Sequence, residues 1–424
     1  MADCHLGGWR EPCLQQLNLQ TFKEAIKRCI SEKVDFVLFA GDIFDTALPA
    51  TEILEDAVEQ FRILKDSGIK CFIIAGSHDF SVSGKTFLNV IEKAGLCRNI
   101  GSVCSEENHS EEINLFEEDF SGAKVVFSGF CGRKSSLEQA YLKKMNFSIG
   151  KSAMSERNFK ILALHTTLTE AKPKHLEMME SISISELPKG FDYYALGHLH
   201  LPFQYSKEGK FYVYPGPLFP NNFQELEELN YGTFVIVNVS ESRINPGTFQ
   251  VDIQKEILNM KEILVLKIDA GNLSPMNITE KVIFEFRKYA NAVKDKILML
   301  KISGTLKEGK TSEVNFEMIG KEAEKLGCFV LLKNIHSLSS PEFKELEIEN
   351  SNKSVEEIEK DIVVKIVEGK KDVFFDLKKT LELMHTLNAE KPEGQTKQVF
   401  ENKIMDDISK VLDLGQELGI KNEN

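Results

Sequence analysis

The sequence predicts an α/β fold: a sandwich of two mixed sheets flanked by helices, then a small α+β unit and a helical tail. Three observations predict it. Apolar β-rich runs alternate with amphipathic helical patterns between Leu17 and Ile91, as βαβ units with a largely parallel sheet do. Further strand-type runs recur up to Gln254, which calls for a second sheet. Near Ile257 the residues suited to metal ligation stop and the pattern changes.

Taken in order, Asp3-Cys4-His5 comes first, with only Met1 and Ala2 ahead of it. Such a loop belongs just past a strand of roughly five residues. Asp3 on an untethered terminus would lose much ordering entropy in holding an ion. The expectation is therefore a start that falls late and lacks that strand. A helical pattern (Leu17, Phe22, Ile26, Cys29, Ile30) leads to a strand over Val34–Ala40, closed by Gly41-Asp42-Ile43-Phe44-Asp45. Leu54, Val58, Phe61 and Leu64 mark the next helix. A strand over Cys71–Ala75 follows, closed by Gly76-Ser77-His78-Asp79, and Phe87, Val90 and Ile91 mark a third helix. Lys124–Phe130 is the clearest strand of a short-stranded region, and a short helix is expected around Leu137–Lys144. Strands recur at Lys160–Leu164, Asp192–Leu196 and Phe211–Tyr214, with Pro215-Gly216-Pro217 as a rigid turn. Tyr231–Val239 and Thr248–Gln254 read as an antiparallel pair.

Residues 258–337 alternate strand (Ile263–Ile268), helix (Ile278–Tyr289), strand (Ile297–Ile302), helix (Val314–Leu326) and strand (Cys328–Leu332). Ser337-Leu338-Ser339-Ser340-Pro341 is a linker signal. Beyond it Ser354-Val355-Glu356-Glu357 reads as a capping box. Phe374, Leu377, Leu381 and Met384 share one helical face, Pro392-Glu393-Gly394 is a break, and Phe400, Ile404, Ile408 and Val411 share another face. These tail faces pack on each other or on a partner helix. The domains read as 1–257, 258–337 and 338–424.

The chain has 424 residues, enough for two or three domains, and a net charge of −13. Overall charge therefore does not hold nucleic acid; contact with DNA would need a local patch, metal ions or a partner. Its eight cysteines form no CxxC pair or regular spacing, which points to reduced thiols in the cytoplasm. No apolar run reaches the roughly 18 residues of a membrane span.

Of the nine histidines, His5, His78, His165, His198 and His200 lie at these strand ends, His165 after Ile161–Leu164 and Gly197-His198-Leu199-His200 after Tyr193–Leu196. Open α/β sheets hold ligands at that edge. A mixed set of Asp and His suits Mn, Fe or Zn better than Mg or Ca, and there are enough ligands for two ions. Two ions about 3.5–4 Å apart hold a phosphate, generate hydroxide at neutral pH and stabilise the oxygens of in-line attack. Asp42 between them would offset their repulsion, and His78 would donate a proton to the leaving alkoxide or stabilise phosphorane charge.

Asp-x-His, Gly-Asp-x-x-Asp, Gly-x-His-Asp, a lone His and Gly-His-x-His, in that order, resemble the calcineurin-like metallophosphoesterase superfamily. Ala2-Asp3-Cys4-His5-Leu6-Gly7, Gly-His-Leu-His and Tyr214-Pro215-Gly216 are similar to one branch, the meiotic-recombination-eleven or SbcD-like nucleases of double-strand-break repair. The motifs span residues 3–216. The later unit and the tail resemble that branch's capping domain and ATPase-binding helices in order and size only.

The resemblance implies a four-layer metallophosphoesterase sandwich with Asp3, His5, Asp42 and His200 on a first ion. Asp42, His165 and His198 would hold a second, completed by residue 77, and His78 would be the catalytic histidine. It also implies manganese dependence, exo- and endonuclease action on DNA, a homodimer, and a coiled-coil SMC-like repair ATPase bound through the C-terminal helices. The departure is Ser77, where the branch has Asn; a shorter neutral hydroxyl predicts weaker binding of the second ion. A metallophosphatase and a non-catalytic scaffold that anchors the ATPase are the alternatives. The long C-terminal extension argues against the first and the five site histidines against the second. Asp45 and Asp79 are read as supporting the ligands, with turn formation or N-capping as the plain alternative. Arg133, Lys134, Lys143 and Lys144 could touch a phosphate backbone, though a solvated basic loop is the better reading. Trp9 would cover the site, and His109, His175, His336 and His385 are read as solvated.

Overall fold

The computed structural model describes all residues except 81–85, 103–113, 121, 134–136, 145–157, 243–247, 342–362, 365–376, 389–396 and 413–424. The helices are α1 (Pro12–Ser31), α2 (Thr51–Asp66), α3 (Leu88–Lys93), α4 (Leu137–Lys144), α5 (Phe223–Leu229), α6 (Pro275–Lys288), α7 (Ala290–Val293), α8 (Phe316–Lys325), α9 (Leu377–Leu387) and α10 (Lys397–Val411). The strands run in chain order. They are β1 (Phe36–Ala40), β2 (Lys70–Ile74), β3 (Arg98–Asn99), β4 (Gly101–Ser102), β5 (Phe116–Phe120), β6 (Ala123–Phe130), β7 (Phe159–His165) and β8 (Tyr193–Gly197). Then come β9 (Pro202–Lys207), β10 (Lys210–Pro215), β11 (Gly232–Glu241), β12 (Phe249–Leu258), β13 (Ile263–Asp269), β14 (Ile297–Thr305), β15 (Val330–Asn334) and β16 (Leu338–Ser339).

These residues form two compact units. One is Met1–Ile268 with Val282–Lys301 and Glu317–Asn334, and the other is Asp269–Lys281, Ile302–Phe316 and Ile335–Asn424. Residues 258–337 fall partly in each.

The first unit is layered because its central strands are apolar on both faces. β1, β2 and β3 form one parallel sheet, and β4-β6-β7-β8-β10-β9 a second, with β5 on β6. On β1 and β2, Val37, Phe39, Cys71 and Ile73 face Phe22, Ala25 and Ile26 of α1, Phe61 and Leu64 of α2, and Leu88 and Ile91 of α3. The alternate residues Phe36, Leu38, Phe72 and Ile74 pack on Phe127, Phe159, Ile161 and Tyr193 of the second sheet. Phe72 stacks on Phe127 with ring centroids 4.1 Å apart. The far face of the second sheet (Leu162, Leu164, Tyr194, Leu196, Tyr212, Tyr214) is covered by Leu142 of α4 and by Leu168, Ile182 and Leu187 from the connection between β7 and β8. Helix, sheet, sheet, helix is the expected order. The antiparallel pair β11–β12 is a separate two-stranded sheet whose Val235, Val237, Val251 and Ile253 join the inter-sheet core. Strand β9 and helix α5 were not foreseen; both are polar and show little apolar period.

The backbone of residues 1–3 is held at the end of β1. The Met1 ammonium donates to Leu38 O (2.9 Å), Ala40 N to Met1 O (2.9 Å) and Asp3 N to Gly41 O (3.1 Å), while Ala2 bridges Pro217. Backbone bonding to the edge of β1 tethers this stretch, so the entropic objection does not apply.

In the later part, Ile297–Lys301 of β14 pairs in parallel with Val330–Asn334 of β15, and Gly304-Thr305 with Leu338-Ser339 of β16. Helices α9 and α10 pack on each other, and Phe400, Ile404, Ile408 and Val411 are half-buried. Among the described residues no helix is long and apolar enough to cross a membrane, and the cysteines are free. The 354–357 capping box, Phe374, the 392–394 break, Lys134, Cys104 and His109 lie outside the described residues, as do the side chains of Lys144, His175 and Leu377.

Candidate metal centre

Parallel strands of both sheets end at one edge, and each delivers a loop there. Gly41 makes the first turn possible: its φ is +89°, and a Cβ would meet His165 Nδ1 at 2.3 Å. A Cβ on Gly76 would meet Asp42 Oδ1 at 2.2 Å. Four of the expected ligands are not glycine yet sit in the left-handed region: Asp3 (φ 51°), His5 (42°), Asp42 (50°) and His198 (93°). Each costs about 1–3 kcal/mol, a strain that concentrates where side chains must converge.

They do converge. Ligand atoms of Asp3, His5 and His200 lie within 4.8 Å of one another, as do those of Asp42, His165 and His198, and those of His5, Asp42 and His78. Asp42 sits between the first two groups, its Oδ2 3.0 Å from His165 Nε2 and 3.7 Å from His5 Nε2. The Nε2 atoms of His5 and His200 face each other at 3.0 Å.

In three of the ligand rings the second nitrogen is occupied, which aims the first. His5 Nδ1 donates to Asp45 Oδ1 (3.0 Å), His200 Nδ1 to Glu225 Oε1 (2.9 Å) and His165 Nδ1 to Ala40 O (2.9 Å). A carbonyl or carboxylate only accepts, so Nδ1 carries the proton and Nε2 turns to the centre in all three. His78 Nδ1 likewise donates to Asp45 O (2.7 Å), and its ring is about half exposed.

Ser77 Oγ lies 3.4 Å from Asp42 Oδ2, and His78 N donates to Asp42 Oδ1 at 2.8 Å. Asp79 accepts from Gly76 N (2.9 Å), Phe44 N (3.1 Å) and Ile43 N (3.3 Å), joining the loops after β1 and β2. Its hydrogen bonds go to backbone N–H groups of both loops, which makes it a clamp between them.

Burial sets the electrostatics. His165 loses solvation, but the Asp42 carboxylate outweighs this and holds it up at about 10. Asp42 is disfavoured as an anion by burial, yet His165 and its other partners pull it well below the usual carboxylate range. Burial, then the neighbouring His165, push His198 down to about 3. Burial and Asp42 raise Asp79 to about 7.

Asp3 Oδ2 and His198 Nε2 are buried without a hydrogen-bond partner. Orphaned buried polar atoms are costly and rare, and two at one centre, beside the Asp42–His165 pair, suit cations that satisfy them together. The residues therefore fit divalent metal, with the donor chemistry already described.

Trp9 is an anchor and does not cover the centre. Its indole donates to Pro220 O (2.9 Å) and packs against Phe219, Leu14 and Leu17. Lys143 Nζ bonds Ser181 O, and Arg133 N bonds Glu138 Oε2. His336 and His385 are exposed, as expected. Three supporting contacts escaped the sequence reading. Asn221 Nδ2 donates to Asp45 Oδ1 (3.2 Å), Glu225 holds His200, and the Tyr214 hydroxyl bridges Thr166 O (2.7 Å) and Leu168 N (2.9 Å), fixing the loop after His165. The readable signal was Asn222 followed three residues later by Glu225, which resembles a helix cap.

Comparison with known proteins places this geometry. Residues 1–202 match the calcineurin-like phosphoesterase family model. The DNA double-strand break repair protein Mre11 of Methanopyrus kandleri is 28% identical over 235 residues, covering 54% of this chain and 50% of the relative. Mre11 of Methanocaldococcus jannaschii is 26% identical over 325 residues, covering 71% of this chain and 80% of its own. The SbcD component of the SbcCD nuclease of Staphylococcus epidermidis is 28% identical over 247 residues, covering 54% and 62%. The aligned stretch spans about half the length of the first of these. With several sheets flanked by helices and clustered Asp and His at one sheet edge, residues 1–202 of this chain are similar to the calcineurin-like phosphoesterases.

Proposed function

We propose that this chain is a two-metal DNA exonuclease and endonuclease subunit of a double-strand-break repair complex. The observation that carries the reading is two adjoining ligand clusters, Asp3–His5–His200 and Asp42–His165–His198, with Asp42 Oδ2 3.7 Å from His5 Nε2, in a chain similar along its first half to Mre11 and SbcD proteins. Asp3, His5, Asp42 and His200 would hold one ion. Asp42, His165, His198 and, weakly, Ser77 would hold the other. When bound, two ions supply Lewis acidity at the phosphate and a nucleophile at neutral pH, and manganese suits the mixed ligands.

The chain's own residues do the rest. Asp45, Glu225 and Ala40 keep three imidazoles aimed, and Asp79 holds the two loops that carry Asp42 and His78. His78, with Nδ1–H fixed on Asp45 O, keeps Nε2 for the reacting phosphate; as the imidazolium it gives the leaving oxygen its Nε2 proton and is left neutral with Nδ1–H retained. Residues 1–257 would be the nuclease domain, 258–337 a capping domain that positions DNA, and 338–424 the linker and helices for a coiled-coil ATPase. A homodimer in the cytoplasm completes the reading.

Ser77 favours one other reading, a scaffold that binds the ATPase without cutting, because its hydroxyl is a poor second-ion ligand. Digestion of linear DNA with manganese, comparing the chain with Asp42→Ala, separates the readings. Cleavage that disappears in the variant supports the nuclease. Two bound ions with hydrolysis of small phosphoesters alone would point to a phosphatase, and a chain that binds no ion would be the scaffold.

A further inference from the structure

The first ion's histidines are braced by a segment outside the five ligand motifs. Both Glu225 oxygens are used: Oε1 accepts from His200 Nδ1 (2.9 Å) and Asn222 Nδ2 (2.6 Å), and Oε2 from Asn221 N (2.7 Å). Asn221 in turn reaches Asp45, which holds His5. Residues 221–225 thus act on both histidines of one half of the centre and on neither histidine of the other half.

Helix α5 is itself gripped from the opposite side. Leu226 and Phe223 lie in an apolar cluster with Trp9, Phe219, Ile297 and Met299. Glu227 pairs with Lys301 of β14 (2.6 Å) and Lys267 of β13 (3.5 Å). One short helix therefore carries the His200 brace on Glu225 and an ionic anchor to the following strands on Glu227.

We propose that Glu225 is a positioning residue for His200, and that α5 transmits the placement of β13 and β14 to the first ion's half of the centre. The proposal rests on the two-metal reading above. A carboxylate on the far nitrogen of a ligating histidine fixes its tautomer and orientation, and its loss typically weakens binding about 10- to 100-fold. The plain alternative is that Glu225 only caps its own helix, since Asn222 Oδ1 also accepts from Glu225 N.

The test is manganese titration of the full chain by calorimetry, with electron paramagnetic resonance to distinguish a coupled ion pair from a lone ion. Wild type is expected to bind two ions. In Glu225→Ala one of them weakens about 10- to 100-fold, with loss of the coupled signal; Glu225→Gln, which keeps an acceptor oxygen, recovers part of it. Lys301→Ala shifts the same ion in the same direction by no more than about fivefold, as a partly exposed pair allows. Asn222→Ala removes the cap together with one of the two donors to Glu225 Oε1 and leaves the Glu225–His200 pair, so it lowers thermal stability and weakens the ion less than Glu225→Ala does. Two ions bound equally well in wild type and in folded Glu225→Ala and Glu225→Gln would overturn the proposal. So would an Asn222→Ala loss as large as that of Glu225→Ala. No binding by wild type would instead overturn the two-metal reading on which it rests.

Discussion

The two halves of the centre are built to different standards. On the side of Asp3, His5 and His200, each histidine is backed by a carboxylate, Asp45 or Glu225, and Asn221 ties the two supports together. On the side of His165 and His198, one ring is backed by the Ala40 carbonyl, and the residue beside Asp42 is the short Ser77. A carboxylate raises the basicity of the imidazole it holds more than a neutral carbonyl does. On the two-metal reading the two ions need not bind alike: the first half is preorganised by carboxylates, and the second depends on Asp42 and the Ala40 carbonyl.

The largest expected effect removes the comparison altogether. Asp79→Ala leaves Gly76, Phe44 and Ile43 N–H groups without their acceptor and frees both loops, so a denaturant midpoint should report about 3 kcal/mol of lost stability. Ion binding on both sides should fall with it; a loss confined to one side would contradict the clamp role. Asp45→Asn breaks the comparison on one side. It should weaken the first ion about tenfold and leave the second near wild type, read by manganese titration. Ser77→Asn sharpens the other side, because an amide oxygen reaches further than a hydroxyl. The second ion should tighten, by up to about tenfold, and unchanged occupancy would show that Ser77 does not limit it.

The smallest effect lies away from the centre and serves as a control. Lys70 hydrogen-bonds Glu118, with Arg98 at 2.9 Å, and together they hold that carboxyl below its ordinary 4.5. A depressed carboxyl contributes stability above about pH 4.5 and loses it as the pH falls through the lowered value. Glu118→Gln should therefore cost less than about 1 kcal/mol at neutral pH, allowing for solvent screening, and the gap should close in acid with ion binding untouched.

Most of the sandwich and the converging motifs could be read from the chain, for a local reason. β1, β2, β7 and β8 each bury both faces, so they are written as short apolar runs, and the ligands follow directly after them. Support for those ligands was not local. Glu225 sits in Asn-Phe-Gln-Glu-Leu-Glu-Glu-Leu, which reads as a solvated acidic helix, and its pairing with His200 exists only once α5 folds back beside β8. Tyr214 appeared as part of a strand end, and its hydroxyl gained meaning only beside Thr166 and Leu168. The tether of Asp3 was missed because it is made by backbone groups, which carry no sequence signal.

The facing Nε2 atoms of His5 and His200 come from residues 195 positions apart. On a ribosome the first of them emerges long before the second, and closing a contact of that span must wait for the strands between to pair. A chain still in synthesis, or cut short before β8, therefore holds only scattered fragments of the candidate metal centre. That centre would assemble late and all at once, when its last ligand loop locks into place.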